Sequence, residues 1–84
     1  MDGNPVPVVV DEDLAELGRA IRSQREAQGL SQEELAERSG LHRNYIGGIE
    51  RGERNVGVRA LFSVARGLNI RPAILFERLD QKRQ

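Results

Sequence analysis

Residues 32–51 read QEELAERSGLHRNYIGGIER. Two helical runs flank Gly40 here, and their spacing has mechanical content. Ala36 is small, so a second helix can cross the first closely at that point. Gly40, four residues on, tolerates the positive φ that a tight turn between two helices demands. Leu35, Leu41, Ile46 and Ile49 supply apolar contacts that seal both helices on a core. The second helix keeps a polar outer face, with His42, Arg43 and Asn44 at its N-terminal end.

Working outward, Ser31 and Glu34 form a capping box, in which the Ser hydroxyl accepts from the backbone three residues on and the Glu reaches back. The first run is predicted from Ser31 to Gly40 and the second from His42 to Arg51, ended by Gly52. Gly47 and Gly48 lie inside the second, where each costs about 1 kcal/mol relative to Ala. Close packing or close backbone approach is the physical reason to keep them there. Upstream, Asp11, Glu12 and Asp13 suit the positive end of a helix. Leu14, Leu17, Ala20 and Ile21 give that helix an apolar stripe, and Gly29 stops it. Downstream, Val58, Leu61, Phe62 and Ala65 form the stripe of a helix from Val58 to Gly67. Pro72 opens a fifth helix, with Ala73, Ile74, Leu75, Phe76 and Leu79 apolar. Residues 1–10, with Pro5 and Pro7, read as a flexible arm, and residues 80–84 as a polar tail. The prediction is an all-α fold of five helices over residues 11–79, with the central motif at 31–51.

Composition narrows the chemistry. The chain has 84 residues, no cysteine and one histidine. That leaves no disulfide framework, thiolate metal site or histidine cluster. No Ser/His/Asp set or phosphate loop is present, so an enzyme is not expected, nor a cofactor, metal or small-molecule ligand. No apolar run approaches the roughly 20 residues that span a bilayer, and the N-terminus, with no basic residue before its short Val stretch, does not read as a signal peptide. The expectation is a single cytoplasmic domain of bacterial or phage type. Net charge is zero, yet residues 1–18 hold five acids and no base, while residues 38–84 hold ten bases against four acids. Twelve of the thirteen basic residues are Arg. Arg has the planar fork suited to phosphate and guanine.

These features together predict a helix-turn-helix whose second helix enters the DNA major groove by its N-terminal end. The segment from about Leu17 to Phe76, and above all LSQEELAERSGLHRNYIGGIERGERN over residues 30–55, resembles the Cro/CI-type, lambda repressor-like (Xre) family. Within it the run HRNYIGGIERGERN most resembles the controller proteins of restriction–modification systems. The resemblance implies that Arg43 and Asn44, with His42 beside them, read bases. It implies that Gln32, Tyr45, Arg51, Arg54 and Asn55 meet the phosphate backbone. It also implies a structural ion pair between Arg25 and Glu50 that fixes the angle of the recognition helix. Gly48 departs from relatives that read a base with a long polar side chain there, so readout leans on Arg43, Asn44 and DNA shape.

The fifth helix is too apolar to face one core. Leu75 and Phe76 are expected inward, while Ala73, Ile74 and Leu79, bordered by Val58, Arg59 and Phe62, are free for a two-fold partner. Such a homodimer would set two recognition helices about 34 Å apart on an inverted-repeat operator. RNA polymerase is a further partner of any activating surface near Glu33, Glu34 and Glu37. The competing reading is an antitoxin that binds a protein toxin as well as its own promoter, with the Val-rich arm as toxin-binding segment.

Overall fold

The computed structural model describes residues 10–82, with side chains from 12 to 79. The arm at residues 1–9 and the end of the tail lie outside the described residues. Six helices follow in order: α1 (Val10–Ala27), α2 (Gln32–Ser39), α3 (Arg43–Glu50), α4 (Val58–Leu68), α5 (Pro72–Leu75) and α6 (Glu77–Lys82). No strand occurs among the described residues.

Local sequence accounts for most boundaries. Gly29, with φ 70°, follows the end of α1. Ser31 caps α2 with both halves of the capping box in place, the Glu34 N–H donating to Ser31 Oγ at 3.0 Å and the Ser31 N–H to Glu34 Oε1 at 2.8 Å. Gly40 closes α2 in the left-handed region at φ 69°. Asn69 does the same for α4 at φ 57°, where a short polar side chain tolerates it.

The core is aliphatic. Ile21 from α1, Leu35 from α2, Ile46 and Ile49 from α3, Val64 and Leu68 from α4 and Leu75 from α5 are essentially sealed from solvent. Helix α2 packs on α3 and α4, and α1 packs on α3 and α6.

Two expectations need correction. The stripe of α4 is Leu61, Val64, Ala65 and Leu68; Val58 and Phe62 lie outside it, 66 % and 46 % exposed. The C-terminal helix is not continuous. It breaks after Leu75 at Phe76 (φ −100°, ψ 0°), and α6 then runs to Lys82, into the stretch read as a tail. The break turns Phe76 out of the core to 36 % exposure, while Leu75 stays buried.

Candidate nucleic-acid interface

Helix α3 presents its N-terminal end outward. His42 is its N-cap, and His42 Nδ1 accepts from the Asn44 N–H at 3.0 Å. The ring thereby serves a helix end that contains no acid in its first turn. An uncompensated positive helix end suits an anionic partner. Arg43 and Asn44, the first two helical residues, are exposed. One turn further in, Ile46 and Ile49 are buried, so the helix has one sealed side and one open one.

The angle of α3 is held from beneath. Arg25 Nε donates to Glu50 Oε2 at 2.7 Å and Arg25 Nη2 to Glu50 Oε1 at 3.0 Å. Arg25 Nη1 also donates to the Leu30 carbonyl at 2.8 Å. Gln32 Nε2 adds a third donor to the carboxylate, reaching Glu50 Oε1 at 3.0 Å. The hydrogen bond to Glu50, followed by the carboxylate's charge, raises the pKa of Arg25 above its usual value. Both side chains are buried, so the pair is a fixed strut between α1, α2 and α3. One amide hydrogen of Gln32 is used in it and one remains for another acceptor.

The comparisons with known proteins bear on this geometry. A family model described as helix-turn-helix matches residues 21–75. The chain belongs to the helix-turn-helix family. Control protein C.SmaI of Serratia marcescens is 55 % identical to it over 53 residues, which is 63 % of this chain and 63 % of that protein. The match thus spans less than two thirds of the length of that relative. The restriction–modification controller protein C.AhdI of Aeromonas hydrophila superposes with a TM-score of 0.77 at 49 % identity, over 77 % of this chain and 98 % of that one. The controller protein C.Esp1396I, solved as a tetramer in complex with its natural 35 base-pair operator, superposes with a TM-score of 0.74 at 36 % identity, over 82 % of this chain and 91 % of that one.

In this helix-turn-helix, α2 and α3 are the motif and the segment after α3 folds back over it. Arg54 lies across the recognition helix, its guanidinium carbon 5.7 Å from the centre of the Tyr45 ring. A Cβ on Gly48 would stand 2.7 Å from Arg54 Cγ. The space vacated at position 48 is therefore filled by an arginine from the following loop. Arg51 relates similarly to Gly47, where a Cβ would stand 3.1 Å from Arg51 Nη1. Arg51 Nε is also 3.1 Å from Glu53 Oε1, on the surface. Asn55 is exposed, and Tyr45 is half-buried against the core.

Val58 and Ala73 are exposed, and Ile74 and Leu79 are half-buried. Phe62, expected to border the partner surface, and Phe76, expected in the core, are exposed as well. Sequence reasoning also missed Gly18. A Cβ there would collide with the carbonyl oxygens of Ile49 and Glu50, so α1 accepts the C-terminal end of the recognition helix backbone to backbone. Gly52 also lies close to α1, where a Cβ on it would stand 2.8 Å from Ala15 Cα. The pair of small residues Ala15 and Gly18, three apart, was the available signal.

Proposed function

We propose that this chain is a sequence-specific regulator of transcription that binds an inverted-repeat operator as a homodimer, and that it is the controller of a restriction–modification system. The observation that carries the reading is the recognition helix itself: exposed Arg43 and Asn44 on a positive helix end whose orientation is held by the Arg25–Glu50 strut. Arg matches guanine O6 and N7, and Asn matches adenine N6 and N7. Gln32, Tyr45, Arg51, Arg54 and Asn55 flank that helix and meet the phosphates on either side, while His42 holds the helix end in the groove. Similarity to two controller proteins with solved structures supports the finer assignment. The exposed apolar groups Val58, Phe62 and Phe76 support a second copy as partner. RNA polymerase is met through the exposed Glu33 and Glu37 of α2 when the bound protein activates. The protein acts on chromosomal or phage DNA in the bacterial cytoplasm.

The test is a fluorescence-anisotropy titration against the DNA upstream of its own gene, with random duplex as control, at two salt concentrations. A preference of roughly a thousandfold that weakens with salt is expected. Arg43→Ala should erase the preference while helicity is kept. Equal weak binding to both duplexes would overturn the reading in favour of a protein partner such as a toxin.

A further inference from the structure

Helix α1 has two opposed fastened faces. Glu16 and Ser23 lie seven residues apart and so share one face; Gly18 and Arg25, also seven apart, share another. The two faces differ by two residues, about 200° around the helix. On the Gly18/Arg25 face sits the C-terminal end of the recognition helix, through the Ile49 and Glu50 carbonyls and the Arg25–Glu50 pair. On the Glu16/Ser23 face sits α6. Arg78 Nη2 donates to Ser23 Oγ at 3.1 Å, and Arg78 Nη1 stands 3.8 Å from Glu16 Oε2. The Glu16 carboxylate is buried and itself held by Arg19 Nη2 at 2.6 Å. Thus α1 is a spacer with the DNA-reading helix on one side and α6 on the other.

Helix α6 needs such a fastening. It is separated from α5 by the break at Phe76, and α5 is only four residues long. Leu75 anchors α5 in the core, but the backbone break leaves the direction of α6 to its side-chain contacts. The exposed and half-buried apolar residues Ala73, Ile74, Phe76 and Leu79 straddle that break. Any tilt of α6 against α1 would tilt one copy of the domain against the other.

We propose that Arg78, through Glu16 and Ser23, sets the angle between α6 and α1 and so selects the half-site spacing that the dimer accepts. Arg78 is a positioning residue on this reading: it touches no DNA, yet it determines operator specificity. The inference rests on the homodimer reading above. A two-fold protein binds only half-sites separated by the distance between its recognition helices. A rigid α1–α6 joint makes that distance single-valued, and a loose one spreads it.

The experiment compares the full chain with Arg78→Met, which keeps the stem but removes charge and donors, and with Arg78→Lys, which keeps the cation. Each is titrated against inverted repeats whose spacer is stepped one base pair at a time around the optimum, with dimerisation followed by sedimentation and folding by thermal melting. The wild-type protein should favour one spacer. In Arg78→Met the preference over its neighbours should fall by about threefold, the scale of a lost half-exposed ion pair, and Arg78→Lys should restore part of it. A purely structural role would lower the melting temperature and weaken all spacers alike. If Arg78→Met is a dimer with unchanged spacer preference, the proposal is overturned while the dimer reading stands. If the wild-type chain sits on the operator as a monomer, both are overturned. Should Arg78→Met melt before binding can be read, Ser23→Ala, which removes one exposed hydroxyl, takes its place with the same criterion.

Discussion

Arg25 and Glu50 meet as a two-pronged pair, Nε to Oε2 at 2.7 Å and Nη2 to Oε1 at 3.0 Å, and tie α1 to the last residue of the recognition helix. Both are buried, so neither charge can be left alone cheaply. Arg25→Met should destabilise the domain by about 3–5 kcal/mol, because the buried Glu50 carboxyl would lose its main partner. Replacing both together, Arg25→Met with Glu50→Leu, should recover most of that loss, since matched apolar groups need no pairing. Urea unfolding of the two variants checks the stability. The double variant should still bind its operator poorly, as the strut that orients α3 is gone.

Alanine should be tolerated better at Gly48 than at Gly18. At Gly48 the new methyl would stand 2.7 Å from Arg54 Cγ, near the root of that side chain, so Arg54 must swing aside as a whole. Helix propensity favours alanine by about 1 kcal/mol, which offsets part of that cost, so Gly48→Ala should melt closer to the wild type than Gly18→Ala does. Displacing Arg54 from the recognition helix should at the same time weaken operator binding by roughly tenfold, one contact's worth. At Gly18 the methyl would meet the Ile49 and Glu50 carbonyls, which cannot swing away. Overpacking of this kind costs about 1–3 kcal/mol, so Gly18→Ala should lower the melting temperature clearly. Paired thermal melts and anisotropy titrations separate the two cases.

What the sequence made legible was local. Ser31 with Glu34, Gly40 and the small Ala36 each act within a few residues of themselves, and the structure has the motif they describe. The phase of α4 was not legible, because Val58 and Phe62 look as apolar as Leu61 and Val64; only the position of α2 against α4 decides which side is covered. The break at Phe76 was hidden for the same reason, as a run of apolar residues after Pro72 carries no stop signal. At the candidate interface, Arg43 and Asn44 could be placed on the exposed end of α3 by register alone. The berth of Arg54 over Gly48 could not, because it depends on how the loop after α3 folds back.

The capping box of α2 gives the domain one identifiable acid sensitivity. Acceptance from the Ser31 backbone N–H, then from the Ser31 hydroxyl, holds the Glu34 carboxyl below the usual glutamate range. The unfolded chain therefore binds the proton more readily than the folded one. Stability from this group is full above the unfolded value of about 4.3 and is lost as pH falls through the folded one. Glu34→Gln keeps an acceptor for the Ser31 N–H but cannot titrate. Its melting temperature should fall less than that of the wild type between about pH 6 and about pH 3.

Ser39 offers a stabilising substitution. Its hydroxyl oxygen is buried between α2 and α4 and has no hydrogen-bond partner. It also stands 2.5 Å from where a Cβ on Gly67 would be, so the two helices approach closely there. An unpaired buried hydroxyl costs about 1–3 kcal/mol. Ser39→Ala should therefore match or exceed wild-type stability by about 1 kcal/mol in urea unfolding. Operator affinity should not change, as the side chain meets Gly67 of α4.

The exposed apolar groups predict where association can be broken without breaking the fold. Phe62 is 46 % exposed on the outer side of α4 and contributes nothing to the sealed core formed by Leu61, Val64, Ala65 and Leu68. Ile74 is a less clean target, since it is half-buried and a charge there would also disturb α5. Phe62→Ser should therefore melt close to the wild type at concentrations where both are monomeric. In a two-fold dimer the substitution removes two aromatic side chains from one interface. Dimerisation should weaken by about 2–4 kcal/mol, roughly thirtyfold to a thousandfold in the dimer Kd. Sedimentation equilibrium reads that change directly. On DNA, binding to a single half-site should be unchanged, because α3 is untouched, whereas binding to the full inverted repeat should lose its steepness in protein concentration. Equal dimerisation of Phe62→Ser and wild type would place the two-fold axis elsewhere on the domain.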